Sequence, residues 1–273
     1  MAANTISGLL RRGLAQTFPF LGLDTEEHSQ SDMADPVPEE PLELTIHDII
    51  STRDLLLLSF PPELVYIILD FAEYWAQLKS AREVDLQVHV AGVPATGSLG
   101  YLVAPSILDH GPEDVRLKVN RVEFTTVSHD QGWCTDPALR DTYRGSTWFE
   151  VAILRPSQGA AVNERSSGSS LPGLDTALGY DPVLEVAAPH GGTRWELQRN
   201  FCASRDYREH FVSWDSNEGY VSLPADNTGA GDGAGFIACL AAGDRISVIA
   251  RAMYSAWYNC VRSVQVSVYY GLA

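Results

Sequence analysis

A change of hydrophobic period near residue 83 sets the limits on how this chain can fold. Ahead of it, SFPPELVYIILDFAEYWAQL (59–78) is the one well-formed helix signal; beyond it, apolar residues mostly alternate with period two. Aromatic, Arg and acidic residues recur among these later segments, in SHDQGW (128–133), YRGSTWFE (143–150), RWELQRN (194–200) and ARAMYSAWYNCVR (250–262). About eight strands with no long helices between them predict a mainly β fold rather than a parallel α/β sheet. The expected architecture is an antiparallel β-sandwich, jelly-roll or galactose-binding-like, preceded by a short helical block and a disordered N-terminus. The boundaries this suggests are an acidic N-terminal region (1–44), a helical block (45–82) and the β-domain (83–273).

The 273 residues carry a formal net charge of −16, with 35 Asp and Glu against 19 Lys and Arg. A nucleic-acid partner rewards a basic face and an anionic bilayer rewards basic clusters, so the charge argues against both. No apolar run approaches the length that spans a membrane. Only Lys79 and Lys118 are lysines; the other basic residues are arginines, whose planar forks suit carboxylate pairing and stacking on aromatic rings. Cys134, Cys202, Cys239 and Cys260 are scattered without metal-ligand spacing, so they read as buried small hydrophobes in a reducing compartment, and no metal or other cofactor is implied.

The N-terminus, MAANTISGLLRRGLAQTFPFLGL, has Arg11 and Arg12, no acid before Asp24, and apolar residues at 6, 9, 10 and 14. Such a pattern fits either an untargeted tail, giving a cytoplasmic or nuclear protein, or a mitochondrial presequence. Residues 24–48 hold nine carboxylates, three prolines and no Lys or Arg, the composition of a disordered acidic linker.

In the helical block, Thr45 or Ser51 caps a first helix, and Pro61 and Pro62 stand where a second begins. Leu64, Ile67, Ile68, Phe71 and Trp75 then share one face. Alternation of Val84, Leu86, Val88 and Val90 opens the β-domain, and a phase slip at Asn120-Arg121 predicts a bulge or tight turn. Further strands are expected at 147–154, 194–202, 209–214, 219–223, 245–252 and 261–270, with Val264, Val266 and Val268 facing one way. The Ser/Gly-rich stretch 157–176 reads as an excursion loop.

Several motifs carry chemistry. SHDQGW packs His129, Asp130 and Trp133 into one loop; its consecutive Ser-His-Asp is no hydrolase triad, whose members converge from distant segments. Either His129 and Asp130 hydrogen-bond a polar ligand beside the Trp133 face, or the loop is tied down by its own side chains. Arg144 and Glu150 approach this loop if the strand of YRGSTWFE pairs with 121–128, with Trp148 beside them. Tyr254 and Trp257 lie in a loop between the last two strands, as a recognition tip or a packed lid.

Residues 59–75 resemble the opening of an F-box. The resemblance implies docking of a Skp1-like ubiquitin-ligase scaffold through Pro62, Leu64, Ile67, Ile68 and Phe71, with a sandwich that selects substrates, sugars among them. An F-box continues with further helix, whereas strand alternation begins here at Val84. DNTGAGDGAGF (226–236) resembles the signature of ribokinase-type sugar kinases, which implies a catalytic Asp232. The segment after it reads as a strand, so a glycine-rich loop fits better. The combination of SHDQGW, YRGSTWFE and GDRISVIARA after a Pro-Glu-Leu helix resembles a group of uncharacterised fungal proteins, which carry no activity to transfer. The expected function is therefore non-enzymatic: a β-sandwich that recognises a protein partner or a polar, glycan-type ligand. Alternatives are an F-box-like ligase adaptor and, less well supported, a sugar-kinase-type enzyme.

Overall fold

A computed structural model of the chain describes residues 43–90, 96–112, 115–156, 183–216 and 228–273. The expected N-terminal disorder and presequence, the strand at 219–223 and the excursion loop lie outside the described residues.

Two helices come first. Helix α1 (Ile46–Leu57) starts at a reciprocal cap in which the Thr45 hydroxyl accepts the Asp48 N–H while Asp48 reaches back to the Thr45 N–H. Helix α2 (Pro62–Phe71) has Pro at its first position, where a missing N–H costs nothing. It ends sooner than the periodicity suggests. Glu73 takes a left-handed φ of 48°, the Tyr74 N–H bonds the Leu69 carbonyl at 2.9 Å, and the Glu73 N–H bonds that of Asp70 at 3.1 Å. This paired closure stops the helix and throws Trp75 out of it.

Strand β1 (Ala76–His89) therefore begins eight residues before Val84, inside the block that reads as helical. The others are β2 (Thr96–Ser106), β3 (Leu117–His129), β4 (Thr147–Pro156), β5 (Val183–Glu185), β6 (Arg194–Arg199), β7 (Arg208–Asp215), β8 (Arg245–Met253) and β9 (Tyr258–Leu272), with a one-turn helix α3 (Phe236–Cys239) before β8. One antiparallel sheet runs β1-β9-β3-β7; the other runs β2-β8-β4, with β5 and β6 both pairing β4. Strands β2 and β5 are not among the expected ones. Segment 96–106 is interrupted by Gly97, Gly100 and Pro105, which hides its alternation. The expected phase slip is present: the β3–β9 register shifts between Val119 and Arg121. Strand β4 pairs β8, not β3, so YRGSTWFE belongs to the opposite sheet from SHDQGW.

Inward residues of both sheets form one core. Val264, Val266 and Val268 face Phe149, Val151, Val248 and Trp195 within it, as the alternation of β9 predicts. Phe124, Trp195, Trp214 and Phe236 pack edge-on or tilted at centroid distances of 4.8–6.3 Å. Ile49, Val65 and Leu69 extend this core into the helices. Asp70 then fixes the end of α2 to the sandwich, accepting from Lys118 Nζ at 2.6 Å, Asn120 Nδ2 at 3.2 Å and Trp75 Nε1 at 3.3 Å. Arg121 lies over the Trp75 ring and bonds both Glu73 oxygens and Asp215. The helical block is thus part of the β-domain's own packing.

Candidate functional site

The architecture presents two surfaces at the two ends of β3. The first is the outer face of α2. Val65 and Leu69 point into the core, so the 3.6-residue period turns Leu64, Ile67, Ile68 and Phe71 outward, 47, 62, 39 and 92% exposed. Pro62 is exposed beside them, and α1 with its C-terminal turn adds Leu55, Leu57, Leu58 and Phe60. Among the described residues, eight of the thirteen exposed large hydrophobics fall between Leu55 and Phe71. Scattered exposed apolar groups need no explanation, but a contiguous set on a helix locked to its domain does. Within 43–75 the only Lys or Arg is Arg53, held by Asp54 at 2.7 Å.

The second surface is the far end of the sandwich, about 40 Å along β3 at the usual rise per residue. Here the loops 130–146, 200–207 and 254–257 converge. Four of the five non-glycine residues with left-handed φ among the described residues sit in them: Asp141, Ala203, Tyr254 and Ala256. Asp130 holds them together. Its carboxylate is fully buried and accepts N–H groups from Gly132 (2.8 Å), Ala203 (2.7 Å) and Ser204 (3.1 Å). Burial pushes its pKa up, and the three N–H bonds pull against that shift. Asp130 is therefore a structural tie and not an exposed ligand group.

His129 bonds the Asp130 carbonyl through Nδ1 and meets the Tyr207 ring edge-on at 4.5 Å. Trp133 is 43% exposed, Tyr254 is 55% exposed, and the half-buried Trp257 lies 6.5 Å from Trp133. Arg144 is exposed close to Gly145, which the Trp257 ring approaches. These residues do share one end of the molecule.

Trp148 and Glu150 have a different role. Trp148 is buried, donates Nε1–H to Glu150 at 2.9 Å, and carries Arg199 and Arg251 beside its ring. Glu150 in turn meets Arg194 at 3.3 Å and Arg251 at 3.4 Å. Glu150 finds these two arginines on the neighbouring strands because β4 sits between β6 and β8.

Sequence reasoning did not find the polar interior beneath the loops. The Ser128 hydroxyl donates to Asn200 Oδ1 at 2.7 Å, and Asn200 Nδ2 donates to Thr147 and Asn259, both at 3.0 Å. All four side chains are buried. Next to them, His210 stands opposite Thr126 across the β3–β7 pair, and both its ring nitrogens and the Thr126 hydroxyl lack hydrogen-bond partners among the described residues. Burial, with Arg208 nearby, depresses the His210 pKa to about 4. An alternating strand pattern assigns these positions to the core without distinguishing polar from apolar company.

The glycine tract before α3 serves packing. Trp214 Nε1 donates to the Gly231 carbonyl and Trp195 Nε1 to the Ala234 carbonyl, both at 2.9 Å. A Cβ on Gly231 would stand 1.8 Å from the Glu196 carbonyl oxygen, and one on Gly233 would enter the Trp214 ring. Asp232 caps its own turn at the Ala234 N–H. The next helix has four residues, so the tract lacks the long helix N-terminus an anion hole of the sugar-kinase kind requires. Among the described residues no group of His, Cys, Asp or Glu forms a metal cluster, and no helix is long and apolar enough to cross a membrane.

No family model matches the chain, and no curated protein sequence matches it.

Proposed function

We propose that this chain is a non-enzymatic interaction protein. Its helical block docks a protein partner through the outer face of α2, and the loop end across the sandwich engages a second partner or a polar, glycan-type ligand. The observation that carries this reading is the set Leu64, Ile67, Ile68 and Phe71, exposed at helical spacing on an element clamped to the β-domain. Such a face is a helix-in-groove ligand, and its rigid attachment lowers the ordering cost of binding. The exposed Trp133 and Tyr254 beside Trp257 support the second surface, since aromatic faces among Arg and amide groups suit sugar rings and polar peptides.

A second reading is favoured by the sequence of the same helix. Pro61-Pro62-Glu63-Leu64 with Ile67 and Ile68 beyond it keeps its F-box-like resemblance, which makes the partner a Skp1-like scaffold and the chain a ligase adaptor. Strand β1 comes directly after α2, so this docking would rest on α1 and α2 alone. Titration of the full chain with a purified Skp1-like scaffold separates the readings. Saturable binding lost on Leu64→Asp supports the adaptor; no binding retires it and leaves docking of another protein.

A further inference from the structure

The exposed apolar strip of the helical block has the size and the symmetry to cover a copy of itself. Its eight large hydrophobics between Leu55 and Phe71 are 39–92% exposed. At roughly 180–200 Å² for each when fully exposed, they leave on the order of 900 Å² open, which matches one side of a standard protein–protein interface. On α2 the open residues form two rows at i, i+4 spacing, Leu64–Ile68 and Ile67–Phe71, with a groove between them. A second α2 laid antiparallel, with a two-fold axis between Ile67 and Ile68, sets the most exposed of the four, Phe71, over the less exposed Leu64 of the other copy at each end.

Charge follows the same symmetry. Glu63 and Asp70 stand seven residues apart and border one edge of the strip, Glu63 exposed in the first turn of α2 and Asp70 in its last. Lys118 lies against Asp70 at 2.6 Å with 42% of its side chain exposed. A two-fold axis in the plane of contact keeps this edge on its own side and reverses its direction. The Glu63 of each copy therefore meets the Lys118 of the other, which gives an isologous contact one opposite-charge pair at each end.

We propose that the partner of this face is a second copy of the chain, packed antiparallel across α2 as a two-fold homodimer; this rests on the outer face of α2 being a docking face and names what covers it. The loop end lies at the far end of β3, so it stays open in the dimer and is presented twice. A ligand with repeated units is then held by both copies, with an avidity neither copy has alone.

The test is sedimentation equilibrium of the full chain from about 1 to 200 μM, where the expected result is a monomer–dimer equilibrium approaching twice the chain mass. An Ile67→Asp, Phe71→Asp double variant should associate roughly a hundredfold or more weakly with an unchanged thermal midpoint. Glu63→Lys sets two lysines together at each end of the strip and should weaken association roughly fivefold. A parent chain that stays monomeric, a dimer equally stable in the double variant, or a constant unmoved by Glu63→Lys overturns the proposal. Affinity purification judges the docking reading separately. A monomeric parent that recovers another protein, depleted by the double variant, keeps α2 as a docking face and retires the second copy; a monomeric parent with no such protein retires both.

Discussion

The Asp130 carboxylate accepts the Ala203 N–H at 2.7 Å across two loops that are 73 residues apart in sequence. With Gly132 and Ser204 it completes three charge-assisted bonds inside a closed interior. Replacing it leaves three part-buried donors without that acceptor. Asp130→Ala is expected to destabilise the fold by about 2–4 kcal/mol, and Asp130→Asn by less, because one oxygen remains. Urea unfolding measures this; a change below about 0.5 kcal/mol would show that water replaces the carboxylate.

His210 makes stability depend on acid. Its folded pKa of about 4 lies below the ordinary 6.5, so the unfolded chain binds the extra proton between those values. The histidine's contribution is complete above pH 6.5 and is lost as pH falls toward 4. The loss is on the order of 2–3 kcal/mol. A His210→Phe variant should show a shallower fall of unfolding free energy across this window. An unchanged slope would place the acid sensitivity in other groups.

Arg121 is the joint between helices and sandwich. Its side chain serves Glu73, Asp215 and the Trp75 face together, and a lysine offers one point charge in place of that planar fork. Arg121→Lys is therefore expected to cost about 1–3 kcal/mol and to speed amide exchange in α2 more than in β9. Equal exchange in both elements would show that apolar contacts alone hold the helices.

At the loop end, Trp133→Ala should reduce ligand or partner capture with little change in thermal midpoint, because Trp133 is 43% exposed. Trp148→Ala should instead destabilise by about 3 kcal/mol or more through a lost buried ring. Calorimetry of the two variants distinguishes a recognition tip from a packed lid; a large loss for Trp133→Ala would favour the lid.

Period-two alternation makes the β-domain and the inward face of β9 legible, and Pro61-Pro62 marks the start of α2. The end of that helix is hidden because its closure uses Glu73 in a left-handed conformation where glycine is the usual signal. Trp75 keeps the helical spacing past the true end, so alternation alone starts β1 eight residues late. At the site, SHDQGW announces a polar–aromatic loop, yet nothing local reveals that Asp130 turns inward to Ala203. The assignment of Glu150 to Arg194 and Arg251 requires knowing that β4 joins β8, a pairing between segments about a hundred residues apart.

Whether the outer face of α2 docks a protein is decided by one comparison: affinity purification of the tagged full chain from its native cells, beside an Ile67→Asp, Phe71→Asp double variant. Both positions are exposed, so the variant should fold with an unchanged thermal midpoint. A docking face requires a partner recovered with the parent chain and depleted at least tenfold from the variant, about 1.4 kcal/mol or more of binding. Equal recovery by two equally stable proteins would contradict docking at α2 and would move recognition to the loop end alone.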